Sequence, residues 1–156
     1  MEEVLVYKIK ESIEAPIEKV FSFLSDDDKI KVWSQIFVEN IYESEQDKLE
    51  CKPGTKYKTV SKFNKKIITT EAVLLEYDFP YSTAVQGNTD QGVMTTRYLL
   101  EAYEKDNQIV TRLMLETYIV PKNWYYKLMV KLLGWTSKIM MEEELEKLKT
   151  IAEEKE

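Results

Sequence analysis

Apolar and charged residues alternate from Val4 to Glu14, the period of a strand with one wet face. The pattern then changes. In "APIEKVFSFLSDDDKIKVW", Val20, Phe21 and Leu24 fall at helical spacing behind Pro16, a residue suited to a helix start. The acidic "SDDD" interrupts that helix and caps a second short one running toward Trp33. From Ile36 to Ile119 the chain reads as antiparallel strands. Turn signals punctuate it at "KPG" (Lys52 to Gly54), "NKK" (Asn64 to Lys66), "DFP" (Asp78 to Pro80), "NTDQG" (Asn88 to Gly92) and "KDN" (Lys105 to Asn107). Pro121 ends the strands, and a helix extends from about Asn123 to the last residue, ~50 Å at ~1.5 Å per residue. The expected order is strand, two short helices, about six strands, one long helix.

One hairpin can be specified further. A two-residue loop at Asp106 and Asn107 sets Glu101 opposite Arg112 and Arg97 opposite Glu116, with Leu99 and Met114 between them. The other face carries Tyr98, Leu100, Leu113 and Leu115, with Thr96 and Thr117 beside them. Arg97 and Arg112 are the only arginines, which invites an anion-binding reading. Matched opposite charges more often mark a solvated ladder, and the alternative face is the more apolar, so the ladder is preferred. A slip of one residue would exchange the two faces.

The final helix has an internal phase change. Trp124, Leu128, Leu132, Trp135 and Ile139 form one apolar stripe, flanked by Tyr125, Met129, Leu133 and Met140, with Lys127, Lys131 and Lys138 on a single edge. Those lysines speak against a membrane span, which needs ~20 largely uncharged residues. Met141, Leu145, Leu148 and Ala152 form a second stripe, and the step from Ile139 to Met141 turns roughly 200°. Either the helix breaks or bends, with Gly134 the candidate, or its first half has a second apolar partner. Core packing, a cavity wall and a membrane or partner surface are the three readings of the first stripe. Core and cavity wall together are preferred.

Composition narrows the chemistry. The 156 residues suit one domain, and 44% hydrophobic with 32% charged residues is ordinary for a folded soluble chain. The net charge of −6 argues against nucleic-acid binding. The absence of histidine removes Ser–His and Cys–His nucleophiles and nearly every zinc site, so neither a metal nor a cofactor is expected. Cys51 stands alone, which fits a reducing compartment, and the charged N-terminus lacks a signal-peptide pattern. A cytoplasmic location is the expectation.

Several segments together resemble one superfamily. "IEAPIEKVFSFLSDDDKIKVW", "LLEYDFPYSTAVQG", "TTRYLLEAYEKDNQIVTRLMLE" and "LEKLKTIAEE" are similar, in order, to SRPBCC or START-like (Bet v 1-like) proteins, above all the polyketide cyclase/dehydrase and lipid-transport branch. The resemblance covers essentially the whole chain, residues 1–156, as one ligand-binding domain. It implies an α+β helix-grip fold: a curved antiparallel sheet of about seven strands, two short helices and a long C-terminal helix, enclosing a cavity. It further implies a small hydrophobic or amphipathic ligand, a lipid, polyketide or similar molecule. Tyr57, Phe63, Tyr98, Leu115, Leu128, Met129, Leu132 and Trp135 are the candidate wall. Tyr57, Tyr98, Glu116 and, with inverted hairpin faces, Arg97 are conceivable proton donors or oxyanion partners, but no fixed spacing selects a catalytic set. A cyclase or dehydratase working without histidine or metal is the alternative, and a chaperone-activator-type adaptor a third. The chain could be monomer or homodimer, with transient contact to a membrane surface.

Overall fold

The alternating N-terminal segment forms strand β1 (Val4–Ile13), and its apolar positions Ile9 and Ile13 are buried. Helix α1 (Ile17–Ser25) follows directly, burying Ile17, Val20, Phe21 and Leu24 on one face. Asp26 separates it from α2 (Asp27–Trp33): its extended backbone ends α1, and its carboxylate accepts from the Asp28 N–H at 3.0 Å. The computed structural model, which describes residues 2–155, continues with β2 (Phe37–Tyr42), α3 (Glu45–Glu50), β3 (Lys56–Phe63), β4 (Lys66–Asp78), β5 (Ser82–Thr89), β6 (Gly92–Lys105), β7 (Gln108–Pro121) and α4 (Trp124–Ala152).

Helix α3 falls inside the stretch expected to be strands throughout. It buries no residue, and its Leu49 points to solvent, so there was no apolar period to reveal it. Ser44 caps it by accepting from the Asp47 N–H at 3.1 Å, and Cys51 ends it in the left-handed region, at φ 49°.

The seven strands form one antiparallel sheet in the order β1-β7-β6-β5-β4-β3-β2, open at β1 and β2. With α4 along it, the architecture is α+β and of helix-grip type. Bulges at Leu5/Tyr7, Phe37/Glu39 and Leu74/Glu76 interrupt the pairing, and such bulges bend and twist strands. The β6–β7 hairpin turns at Asp106 (φ 52°) and Asn107 (φ 65°), the positive pair a two-residue turn requires. Its register sets Glu101 opposite Arg112, Leu99 opposite Met114 and Arg97 opposite Glu116.

The charged face is the solvated one. Arg112 reaches Glu101 at 3.5 Å, but Arg97 pairs with Glu76 of β4 at 3.4 Å rather than with Glu116. Lys8 of β1 lies directly opposite Glu116 and takes that carboxylate at 3.4 Å. The expected two-rung ladder is thus shared among four strands. The opposite face buries Leu100, Leu113 and Leu115, which join Ile9, Ile13, α1 and the second half of α4 in the main core.

Helix α4 is unbroken over 29 residues, about 44 Å. It therefore does not break at Gly134. Val130, Gly134, Met141, Leu145, Leu148 and Ala152 step by four, seven, four, three and four along one inward line. Gly134 belongs to that line because the helix crosses edge strand β1 there: a Cβ would stand 3.0 Å from the Val6 carbonyl oxygen. The glycine permits close approach. The other apolar stripe lies on the opposite side, toward solvent.

This contact makes a stability prediction. At a free helical site, replacing Gly gains up to about 1 kcal/mol. Gly134→Val should instead lower the unfolding free energy by about 1–3 kcal/mol, because added carbons collide with backbone. Urea denaturation of the variant checks this, and a stabilised variant would contradict the close approach.

Candidate functional site

The helices cover only part of the sheet. Helix α1 and the second half of α4 fill the inner face near β1, β7 and one end of β6. Beyond them, the inner faces of β3, β4 and β5 lack a packed helix, leaving a cavity of about 360 Å³. Tyr57, Leu74, Thr83, Val85, Thr96 and Tyr98 form the sheet side. Asp27, Ile30 and Trp33 of α2 and Met141 and Glu144 of α4 close the other side. The strand register explains the sheet set: Tyr57 opposes Ala72, Leu74 opposes Val85, Val85 opposes Thr96, and Thr83 opposes Tyr98. Three neighbouring rungs thus supply the sheet side: one through Tyr57 and Ala72, one through Leu74, Val85 and Thr96, and one through Thr83 and Tyr98.

A polar cluster stands at the β2 end. Asn40 and Tyr42 project inward two residues apart, and the Tyr42 ring stacks on Tyr57, its cross-strand partner, at 5.1 Å. The Asn40 Nδ2 amide donates to Asp27 Oδ1 at 2.9 Å, and the Tyr42 hydroxyl donates to the same oxygen at 3.5 Å. Asn40 Oδ1 is buried without any partner. Asp27 is only 8% exposed, and burial raises its carboxyl above the ordinary value, against the lowering effect of the Asn40 bond. Burial pushes the Tyr42 phenol up to about 12, with the Asp27 charge adding to the effect. The phenols of Tyr7, Tyr57 and Tyr98 are raised as well, each mainly by burial. At neutral pH these groups are uncharged hydrogen-bonding groups, not phenolate bases.

Glu144 is the second inward carboxylate, 3% exposed, and it is fully engaged. It accepts from Ser34 Oγ at 2.7 Å, from the Gln35 and Ile36 N–H groups at 3.2 and 3.3 Å, and from Lys147 Nζ at 3.2 Å. Ser34 in turn accepts from the Ile36 and Phe37 N–H groups. Glu144 therefore fastens the α2–β2 connection to α4. Trp33 anchors α2 similarly, its indole N–H donating to the Phe23 carbonyl at 2.7 Å.

The eight residues expected to form a wall divide into groups. Tyr57 and Tyr98 line the cavity, and Leu115 is buried in the core beside it. Phe63 ends β3 and is exposed, and Met129 is half-buried on α4 away from the lining. Leu128, Leu132 and Trp135 face solvent, because the inward line of α4 runs through Val130 and Gly134 instead. Arg97 and Glu116 lie on the outer face of the sheet, away from the cavity. Asp27, Asn40, Tyr42 and Glu144 were not singled out from sequence. Glu144 had a legible signal, since it sits three residues after Met141 and four before Leu148, inside a buried stripe. Asp27 was indistinguishable from its capping neighbours in "SDDD".

Among the described residues, no group of three or more potential ligands could hold a metal ion, and no helix is long and apolar enough to cross a membrane. No family model matches the chain, and no curated protein matches it in sequence. Solved structures do match in fold. A protein of unknown function from Staphylococcus aureus, SA2116, aligns at a TM-score of 0.62 and 14% identity over 98% of both chains. A protein from Arthrobacter aurescens aligns at 0.68 and 15% identity, over 93% of this chain and 84% of that one. The di-domain ARO/CYC protein BexL of the BE-7585A biosynthetic pathway aligns at 0.66 and 13% identity, over 96% of this chain and 51% of BexL. The fold is theirs; identities this low carry no activity across.

Two predictions test the cluster. Truncating Glu144 to Ala leaves several donors unpaired and should lower the unfolding free energy by about 1.5–3 kcal/mol, measured by urea denaturation. For Asp27, whose folded value is raised, the favourable contribution is present below the carboxyl's ordinary value of 3.8 and is lost as pH rises through the folded value. Asp27→Asn should therefore gain stability relative to the native chain between acid and neutral pH. Denaturation of both proteins at pH 4 and pH 7 reads the difference, and a constant difference would contradict the raised carboxyl.

Proposed function

We propose that the protein binds, and in that way carries, a small apolar or amphipathic molecule with a neutral hydrogen-bonding head group, as a START-like domain spanning the chain. The observation that carries this reading is the combination of a largely apolar cavity with one buried, unpartnered acceptor, Asn40 Oδ1. A buried acceptor without a partner costs stability unless a ligand or water supplies a donor. A hydroxyl or amide group on the ligand would complete it, with Tyr57 and Tyr42 alongside. A volume near 360 Å³ lies at the lower end of typical ligand pockets, which favours a compact ligand over a full diacyl lipid. Anionic heads are disfavoured, because the cluster already holds the Asp27 carboxyl and the lining cation, Lys48, is exposed.

A second reading has one observation in its favour. Asp27 couples a raised carboxyl to the Tyr42 hydroxyl inside an apolar space, an arrangement able to donate a proton to a bound carbonyl. The fold likeness to BexL is compatible with a cyclase or dehydratase role of that kind.

Native mass spectrometry of protein purified from cells, followed by titration with a panel of hydroxylated lipids and polyketides, tests the first reading. A retained or added molecule is expected. Thr59→Phe, which fills the space, should abolish binding, and Asn40→Leu should weaken a hydroxylated ligand about five- to tenfold. Failure of every ligand, or full retention by Thr59→Phe, removes the binding reading. Turnover lost in Asp27→Asn, with binding kept, would favour the enzyme.

A further inference from the structure

We propose that the first half of α4 is a docking surface for anionic lipid bilayers. This does not depend on what occupies the cavity. Trp124, Leu128, Leu132, Trp135 and Ile139 are 72%, 48%, 64%, 73% and 39% exposed, on the side of the helix opposite its buried line. Tyr125 and Leu133, each about half exposed, widen the surface. At ~1.5 Å per residue the stripe is ~24 Å long, a contiguous apolar surface of the kind soluble monomers rarely leave bare.

Charge identifies the partner. From Thr117 to Met141 the chain has no carboxylate, yet it carries Lys122, Lys127, Lys131 and Lys138, in a protein of net charge −6. Lys127, Lys131 and Lys138 run as one row along the edge of the stripe. An apolar face with exposed tryptophan and tyrosine, edged by lysines, matches the boundary between acyl chains and anionic headgroups. The surface also has a defined end. Beyond Ile139 the same side of the helix presents Glu142, Glu143 and Glu146, which anionic headgroups would repel. Contact would therefore be confined to the first four turns, with the helix lying along the surface. A second copy is the weaker candidate: pairing the stripe with itself brings lysine rows together with no carboxylate of that segment to face them.

The full chain, incubated with vesicles of phosphatidylcholine alone or of equal parts phosphatidylcholine and phosphatidylglycerol, provides the test. Co-sedimentation should be at least about tenfold stronger on the anionic vesicles and should fall at high salt. Tryptophan emission reads the geometry directly, because Trp33 is buried and only Trp124 and Trp135 are exposed. A blue shift on anionic vesicles is expected. Trp135→Asp combined with Leu132→Asp should abolish binding, and Lys127→Glu with Lys131→Glu should weaken it about tenfold or more. Trp135, Leu132 and Lys131 are exposed and Lys127 is half-buried, none in the core, so circular dichroism should show the variants folded. Equal binding to both vesicles, no binding to either, or unchanged binding by folded variants would overturn the proposal. So would a native dimer that Trp135→Asp dissociates, since a second copy would then cover the stripe.

Discussion

The packing of Leu145, Leu148 and Ala152 against Ile9, Ile13, Leu113 and Leu115 is the contact on which the rest of the molecule depends. These side chains are almost wholly withdrawn from water, and removal of apolar surface from water is the dominant favourable term in folding. Seating the second half of α4 at that end of the sheet fixes two other features. It leaves the inner faces of β3 to β5 without a packed helix, which opens the cavity. It also directs the first half of the same helix across the β1 edge, where Val130 and Gly134 are its buried residues.

Polar anchoring completes what apolar packing begins. A sheet and one helix would leave α2 free to swing, but Glu144 collects donors from the α2–β2 connection and Trp33 ties α2 back to α1. A buried carboxylate is tolerated there because it is satisfied on several sides. The Asp27 cluster is different in kind. Its Asn40 Oδ1 is left without a donor, in a residue that stands at the cavity wall. Satisfied polar groups hold this structure together; of the two buried side-chain atoms without a partner among the described residues, Asn40 Oδ1 and Thr117 Oγ1, the first belongs to a residue of the cavity wall.

The exposed stripe of α4 follows from the same phase relation. A straight helix can present only one side to the sheet, and two apolar stripes offset by roughly 200° cannot both be buried against it. The stripe that continues the core line through Leu145 and Leu148 is the one buried. Tryptophans remain on the surface because the helix has one internal partner, not two.

The sequence by itself determined the elements and their order, because alternation, helical spacing and turn residues are local physics. The β6–β7 register was legible as the preferred pairing, from the turn at Asp106 and Asn107 and the opposed charges; the structure excludes the slip that would exchange the faces. Helix α3 was invisible, since a helix that buries nothing leaves no apolar period. The two stripes of α4 were also apparent, but the first, expected to form core and cavity wall, faces solvent. That choice belonged to tertiary structure, as did the meeting of Asp27, Asn40, Tyr42 and Tyr57. Their convergence depends on the pairing of β2 with β3 and on α2 lying against β2, and contacts between residues apart in sequence have no period for a single chain to display.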